Sequence, residues 1–247
     1  MTNLPKILVA SPTAKSKGYC FDEWLDNVMS FTYPNFDVRL FDNTQDKGVN
    51  AKELIELYKS KYGNNEMFKC ENSLVINKVK KLDSIIERMV ISHQNCADYA
   101  LNNGYDYLLH LESDIFPTPD IIEQLLFQKK QVVGAIYFRD EGISRRAMVQ
   151  TLHVTGKFIL GLDLEPKDSS YFDGEVKKVF HVGLGCVLIS KKVLQKIKFR
   201  SVKGKNQHPD SFFAEDCATN NFSIFAHTGC VARHDNKAWG IYGVDFK

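Results

Sequence analysis

The feature that most constrains the fold of this chain is a long helical segment that runs into an apolar strand and then into acidic residues. Apolar residues at helical spacing predict a helix from Leu82 to Leu101, which Asn102-Asn103-Gly104 ends. The apolar stretch Tyr107–Leu111 is typical of a buried strand, and Glu112-Ser113-Asp114 follows it directly. Helices that alternate with strands in this way indicate an α/β fold.

The same alternation extends over the first 138 residues. Predicted strands lie at Lys6–Ser11, Phe36–Phe41 and Val132–Phe138, and predicted helices lie at Tyr19–Phe31 and Pro119–Gln128. We therefore predict one Rossmann-like α/β domain with a mainly parallel central sheet. No Pro/Gly/Ser-rich linker divides the 247 residues, which also favours a single domain.

The pattern is looser from residue 139 to residue 247. The elements predicted here are short strands at Met148–His153 and Lys157–Leu160, a longer strand at Val179–Ser190 and a short helix at Lys191–Ile197. The longer strand contains Gly183 and Gly185, and glycines inside a strand allow a ligand or another backbone to approach closely.

Composition excludes several classes of protein but names no partner. The 32 basic and 30 acidic residues leave a formal charge of only +2. Six cysteines without a CxxC pair argue against a structural zinc site. The N-terminal apolar run Ile7–Ala10 is too short for a signal sequence, and no apolar stretch has membrane-spanning length, so we expect a cytoplasmic protein.

The acidic loop after Tyr107–Leu111 predicts a metal site. Ligands of open α/β sheets collect outside the carboxyl ends of the strands, and residues two apart in extended backbone point the same way. Glu112 and Asp114 are therefore placed to face one Mn²⁺ or Mg²⁺ ion on a diphosphate, because such ions prefer carboxylate and phosphate oxygens. The alternative is a solvated turn that caps the helix beginning near Thr118.

Three further motifs accompany the acidic loop in a fixed order along the chain. They are Ser11-Pro12-Thr13 with Asp42, then Phe213-Ala214-Glu215-Asp216, which is expected to open a helix, then Val231-Ala232-Arg233-His234. Together these motifs resemble nucleotide-diphospho-sugar glycosyltransferases of the GT-A fold, of the family 2-like kind, over roughly residues 6–235. The resemblance implies a nucleotide-sugar-binding half at 1–138 and an irregular acceptor-side half at 139–247.

The resemblance also assigns residues to the donor and the metal. It implies that Asp114 and His234 are metal ligands, with Glu112 near the metal or the donor ribose, although the family has Asp at the position of Glu112. Further donor-binding residues implied are Ser11, Thr13, Asp42 at the base or ribose, and Arg88 at phosphate. Alternatives remain: Asp42 caps a turn, Arg88 forms a surface salt bridge, and His181 or His227 replaces His234.

For the chemistry, the resemblance implies that Asp216, or secondarily Glu215, is the general base that takes the acceptor proton. Such a base contributes about 10²–10⁴-fold to the rate. A direct displacement assisted by one base would invert the anomeric centre. The alternative for Asp216 is a favourable charge at a helix N-terminus.

A basic segment between residues 190 and 207 bears on the acceptor, because it contains no acidic residue. Its members are Lys191, Lys192, Lys196, Lys198, Arg200, Lys203 and Lys205. One interpretation is a track for an acceptor such as modified DNA or an anionic glycan, with Lys198, Arg200, Lys203 and Lys205 beside Gly183 and Gly185 on the acceptor side. The other interpretation is an ordinary solvated surface.

The predicted activity is metal-dependent transfer of a sugar, from a UDP-sugar, to an acceptor hydroxyl. The alternatives are a non-catalytic nucleotide-sugar or nucleic-acid binding protein and a nucleotidyltransferase. Kinase and dinucleotide-oxidoreductase functions lack support, since the sequence has neither GxxxxGK[ST] nor GxGxxG after a strand.

Overall fold

A ten-stranded mixed sheet organises the molecule. The structure is a computed structural model that describes residues 4–140, 145–155, 158–163, 170–202 and 207–235. Its first elements are β1 (Ile7–Thr13), a 3₁₀ turn (Lys15–Lys17), α1 (Phe21–Met29), β2 (Phe36–Asp42), α2 (Val49–Tyr62), β3 (Phe68–Asn72), α3 (Ser73–Ile76), α4 (Ile85–Asn102) and β4 (Tyr107–Leu111).

The elements after the acidic loop are shorter. They are β5 (Ile115–Phe116), α5 (Ile121–Phe127), β6 (Val132–Ile136), β7 (Phe138–Asp140), β8 (Arg145–Ala147), β9 (Val149–Thr155), β10 (Phe158–Asp163), β11 (Val176–Val182), β12 (Cys186–Ser190), α6 (Lys191–Leu194), α7 (Pro209–Thr219), β13 (Ile224–Val231) and β14 (Arg233–His234). No helix within the described ranges is both long and apolar enough to cross a membrane.

The strand order of the main sheet is β10-β9-β11-β13-β6-β12-β4-β1-β2-β3. Following the pairings along this order, seven of its ten described strands run one way, and β10, β11 and β12 run the other way. The antiparallel β12 lies between β4 and β6, so its N-terminal end is beside the C-terminal end of β4. This arrangement brings the Gly183–Gly185 loop to the acidic residues after β4.

The sheet is covered on both faces, which explains its continuous apolar strands. Successive β1 residues alternate between two cores: Ile7 and Val9 pack into one, and Leu8 and Ala10 into the other. The first core includes apolar side chains of α1, α2 and α5, and the second includes those of α4, α6 and α7. The result is a three-layer α/β/α arrangement, as the alternating sequence pattern predicts.

Two sequence predictions about elements are wrong. The single strand predicted at Val179–Ser190 is two strands, β11 and β12, which lie at different positions in the sheet and are joined by Gly183–Gly185. The helix predicted to open at Phe213 begins at Pro209, because proline suits the first turn, where its missing N–H costs no hydrogen bond. Asp210, rather than Asp216, is therefore the acid in the first turn of α7.

Candidate functional site

The acidic loop after β4 is held by hydrogen bonds from three sides. Glu112 N–H donates to the Gly185 carbonyl at 2.9 Å, and Trp24 Nε1 donates to the Glu112 carbonyl at 3.0 Å. The hydroxyls of Ser113 and Thr13 are 3.0 Å apart and buried, which ties the loop to the end of β1. The loop is thus a rigid platform at the carboxyl edge of the sheet.

Asp114 is the most enclosed carboxylate of this loop. Its side chain is fully buried, its Oδ2 accepts a hydrogen bond from Lys17 Nζ, and His234 Nε2 lies 3.5 Å from the same oxygen. Burial acts to raise the pKa of Asp114, but the hydrogen bond with His234 and the charge of Lys17 outweigh it and lower the pKa. The other oxygen, Oδ1, is buried and accepts no hydrogen bond from the described residues.

His234 reaches Asp114 because β14 pairs with β5, which places His234 opposite Ile115. Its Nδ1 is 2.9 Å from the Phe138 carbonyl, which can only accept, so Nδ1 carries the proton. Nε2, on the side of Asp114, donates to this carboxylate when it is protonated and offers its lone pair to an ion when it is not. A second ring nitrogen fixed by a carbonyl is the usual support of a metal-binding histidine.

The residues fit an ion that is shared with a diphosphate, rather than one enclosed by protein. Among the described residues, no group of three or more His, Cys, Asp or Glu side chains is arranged to hold an ion. Asp114 and His234 would supply one oxygen and one nitrogen. Mg²⁺ commonly takes one or two carboxylates and completes its shell with substrate phosphates and water.

Lys17 is a site residue that the sequence analysis missed. It lies in the short 3₁₀ turn after β1, and its ammonium group contacts the buried Asp114 carboxylate. The loop after the first strand was predicted to meet the donor through Ser11 and Thr13, but a lysine within it carries no pattern that would single it out.

Glu112 faces a pocket that opens to solvent and, with the solvent space at its mouth included, has a volume of about 430 Å³. Burial and the nearby charge of Asp114 raise the pKa of Glu112 to about 7. The same pocket is lined by Tyr137, His93, Asp210 and His234. Glu112 and His234 therefore line one cavity, and their roles toward the donor and the metal stay predictions.

A second pocket shares four lining residues with the first and, with the solvent space at its mouth included, has a volume of about 670 Å³. Its own lining includes Arg146, Gln150 and His181, and the residues common to both pockets are Arg139, Met148, His208 and Asp210. Asp210 therefore lies where the two cavities meet. Two connected cavities with a carboxylate between them suit a reaction that joins two substrates.

Asp210 is a second residue that the sequence analysis missed, because it placed the start of α7 too late. Its Oδ2 is 3.4 Å from His181 Nε2, and its Oδ1 accepts from Ser211 N–H at 2.8 Å. Burial acts to raise the pKa of Asp210, but the contacts with His181 and the charge of His208 lower it to about 2. The carboxylate is ionised at neutral pH. The proline after His208 was the available signal for the helix start.

Asp216 and Glu215 lie further along α7. Asp216 accepts two hydrogen bonds from the Arg200 guanidinium, at 2.7 and 2.9 Å, and Glu215 lies 3.8 Å from the same group. Neither acid lines either of the two pockets. The structure brings Asp216 and Arg200 together, but it does not bring Asp216 to the pockets; the role of general base stays a prediction for Asp216 and Glu215.

The predicted donor residues at β1 and β2 are buried within the protein. Ser11 donates to the Pro12 carbonyl, and Thr13 contacts Ser113. Asp42 is fully buried and accepts four hydrogen bonds, two from Thr44 and one each from Asn50 and Asn72. Burial outweighs these bonds and raises the pKa of Asp42. These contacts are those of the turn-capping alternative, and the donor role of Asp42 stays a prediction.

Arg88 lies on α4, as expected from the helical pattern. Its Nε is buried and donates no hydrogen bond to the described residues. Its predicted contact with phosphate stays untested.

Gly183 and Gly185 allow a close approach, and the group that approaches is the ring of Tyr137. A Cβ on Gly183 would lie 2.1 Å from Tyr137 Oη, and one on Gly185 would lie 2.5 Å from Tyr137 Cζ. Tyr137 Oη in turn accepts from Gly185 N–H at 3.0 Å. Tyr137 then packs edge-on against His234, with ring centroids 5.4 Å apart. The two glycines thus have a packing role, and their acceptor-side role stays a prediction.

The basic segment is partly neutralised by acids from neighbouring helices. Lys198 Nζ is 3.0 Å from Asp98 on α4, and Arg200 is paired with Asp216 on α7. Lys203 and Lys205 lie outside the described residues. The acceptor track therefore stays a prediction, with less unpaired charge than the sequence implies.

The comparisons with known proteins support the fold. The sequence matches no protein-family model, and no curated protein resembles it significantly. Among solved structures, GalNAc-T7 with UDP, GalNAc and Mn²⁺ superposes with a TM-score of 0.61 at 10% identity, over 95% of this chain and 44% of that one. A197 from STIV is similar at a TM-score of 0.48 and 14% identity, over 94% and 87% of the two chains. This chain thus spans less than half of GalNAc-T7, and at such low identity the likeness concerns the fold: an α/β domain of the GT-A-like type.

Proposed function

We propose that this protein is a metal-dependent glycosyltransferase that moves a sugar from a nucleotide-diphosphate sugar to an acceptor hydroxyl. The observation that carries the proposal is the buried Asp114 carboxylate beside His234 at the carboxyl edge of the sheet, with one carboxylate oxygen left for an ion. The fold similarity to GalNAc-T7, whose structure contains UDP and Mn²⁺, supports the same reading.

The donor side of the site is assigned to Asp114, His234 and Glu112. Asp114 and His234 would hold Mn²⁺ or Mg²⁺ on the diphosphate, and the ion would stabilise the negative charge of the leaving group. Lys17 contacts Asp114 already and is positioned to pair with a phosphate oxygen once an ion occupies the carboxylate. A UDP-sugar is the proposed donor, because UDP is the nucleotide in the structure of GalNAc-T7.

For the general base, the geometry favours Asp210 over the predicted Asp216 and Glu215. Asp210 lines both pockets, whereas Asp216 is engaged by Arg200 and lines neither. His181 and the Ser211 N–H orient the Asp210 carboxylate from one side. A single base at the junction of donor and acceptor pockets fits direct displacement with inversion. Modified DNA and anionic glycans remain the proposed acceptor classes.

The metal site is tested by measuring UDP binding by calorimetry with Mn²⁺ and with EDTA. We expect tight binding only with the ion, loss of this metal dependence in Asp114→Ala, and a partial loss in His234→Ala. Asp98→Ala is the matched control, because Asp98 is a surface acid paired with Lys198. Equal affinity with and without the ion in the parent protein would refute the proposal.

Sugar transfer is tested by incubating the protein with a panel of UDP-sugars and acceptors and measuring the release of UDP. NMR then determines the anomeric configuration of the product. Asp210→Asn should reduce transfer by about 10²-fold or more, with donor binding retained, because the amide cannot accept the proton. Asp216→Asn and Glu215→Gln are the paired variants. If either of these is inactive and Asp210→Asn is active, the base lies further along α7. Donor binding without any transfer would indicate the non-catalytic alternative.

A further inference from the structure

Two buried histidines form a hydrogen-bonded chain that ends at the first pocket. His110 on β4 and His93 on α4 are 0% and 1% exposed. His93 Nδ1 lies 2.7 Å from His110 Nε2, and His110 Nδ1 lies 2.6 Å from the Leu184 carbonyl. His93 also lines the pocket that contains Glu112 and Asp210.

The chain has one consistent arrangement of protons when both rings are neutral. The Leu184 carbonyl can only accept, so His110 Nδ1 carries a proton and its Nε2 is an acceptor. His93 Nδ1 must then donate to His110 Nε2, which leaves the lone pair on His93 Nε2. The Leu184 carbonyl, in the Gly183–Gly185 loop, thereby determines through the His110 ring that Nε2 is the unprotonated nitrogen of His93.

Both rings are held neutral by their surroundings. Burial lowers the pKa of His110 to about 4, and burial together with His110 lowers that of His93. The charge of Asp210 acts on both rings in the opposite sense, and that of His208 acts on His93 in the same sense as burial.

We propose that His93 Nε2 is a fixed hydrogen-bond acceptor in the wall of the first pocket and that it binds a hydroxyl or N–H donor of the substrate. The Asp210 carboxylate is an acceptor as well, and Glu112 can accept or donate, so the wall around His93 suits the hydroxyl groups of a ligand. Arg139, which lines the same pocket, is the residue suited to a phosphate. The inference deepens the proposed function, on which it rests: it assigns this wall to the sugar of the donor rather than to its diphosphate.

The proton positions are measured directly by ¹H–¹⁵N correlation spectra of the histidine side chains at pH 7, with His93→Gln and His110→Gln used for assignment. We expect both rings to be neutral with protonated Nδ1. An Nε2–H form or an imidazolium ring at His93 overturns the inference, whether or not a nucleotide binds.

The ligand contact is tested by adding UDP, UDP-glucose or UDP-N-acetylglucosamine with Mg²⁺, which is diamagnetic. At least one UDP-sugar should shift the His93 Nε2 resonance, and UDP alone should leave it nearly unchanged. If UDP binds and neither sugar nucleotide shifts Nε2, the sugar assignment is refuted. If UDP itself fails to bind, the proposed function is refuted. The spectra without ligand then still show whether His93 Nε2 is a hydrogen-bond acceptor.

A variant pair separates recognition from a structural role. His93→Leu should weaken UDP-sugar binding by about three- to tenfold, which is the contribution of one hydrogen bond. The affinity for UDP should be unchanged. His93→Gln keeps an acceptor oxygen and should retain part of the affinity. Equal losses for UDP and UDP-sugar in His93→Leu would show a structural role and overturn the inference.

Discussion

Replacing Gly183 with alanine should destabilise the protein, and removing the Tyr137 hydroxyl should relieve part of that cost. The added methyl group would lie 2.1 Å from Tyr137 Oη and 3.1 Å from Met148 Cβ. Because Tyr137 is only 3% exposed, its ring would have to withdraw by about 1 Å within a packed core. Gly183 has no positive φ, so the cost is one of space rather than backbone strain.

The magnitude follows from two opposing effects. Overpacking of this kind costs about 1–3 kcal/mol, and the severe overlap places Gly183→Ala near the upper end. Alanine has less conformational freedom than glycine in the unfolded chain, which stabilises the folded protein by about 0.4–1 kcal/mol. We therefore expect a net loss of about 2 kcal/mol. Tyr137→Phe alone should cost about 1–3 kcal/mol, because Gly185 N–H loses its buried acceptor.

The two glycines should differ when combined with Tyr137→Phe. At Gly183 the nearest Tyr137 atom would change from Oη at 2.1 Å to Cζ at 2.9 Å, so the double variant should be more stable than additivity predicts by about 1 kcal/mol. At Gly185 the two nearest atoms are ring carbons at 2.5 and 2.7 Å, which the phenylalanine retains, and Oη follows at 2.8 Å, so a smaller coupling is expected.

Urea unfolding of the parent, the three single variants and the two double variants, followed by circular dichroism, measures both couplings. Additive losses in the Gly183 cycle, or the same coupling in both cycles, would refute the reasoning from the Tyr137 contacts. A Gly183→Ala variant as stable as the parent would do so as well.

Three further predictions concern charge. Lys17→Met should raise the Mn²⁺ affinity of the nucleotide-free protein by about tenfold in calorimetry, because the ammonium group no longer competes with the ion for Asp114. Lys15→Met, on the exposed side of the same turn, is the control and should leave the Mn²⁺ affinity unchanged. The unfolding free energy should fall by about 3 kcal/mol between pH 6.5 and pH 4 because of His110. Over this range His110 takes up a proton in the unfolded chain, whereas in the folded protein it does so only near pH 4. His110→Gln should flatten this pH dependence in urea titrations. If the protein binds DNA, the logarithm of its affinity should fall linearly with the logarithm of the salt concentration. Replacing Lys198 and Arg200 with glutamine should reduce this slope by less than the roughly 1.8 expected for two unpaired cations, because both residues already pair with acids. A full reduction in filter-binding assays would contradict these pairings.

Local sequence patterns are sufficient to predict the elements whose environment is uniform along their length. β1, β4 and β6 are buried on both faces and appear as apolar runs, and α1 and α4 have one apolar face each. The same patterns fail for α2 and β3, which were not predicted. Polar and charged residues are interspersed along both, and β3 is a five-residue edge strand with an exposed lysine.

The position of the acidic loop also follows from sequence, because residues after a buried parallel strand lie at the carboxyl edge of the sheet. The sequence by itself therefore indicates the α/β class, the edge of the sheet where the candidate site lies, and Glu112 and Asp114 as candidates within it. The resemblance adds His234, which the structure places 3.5 Å from Asp114.

Only the tertiary structure decides which distant side chains meet there. The Lys17–Asp114 contact, the His93–His110 pair and the place of Asp210 between two pockets depend on the strand order and on β12, which is inserted antiparallel between β4 and β6. Periodicity reports which face of an element is buried, but it carries no information on which element lies opposite. Contacts between residues far apart in the chain are set by the packing of whole layers, and for that reason the lysine, the histidine pair and the base candidate emerge only from the folded molecule.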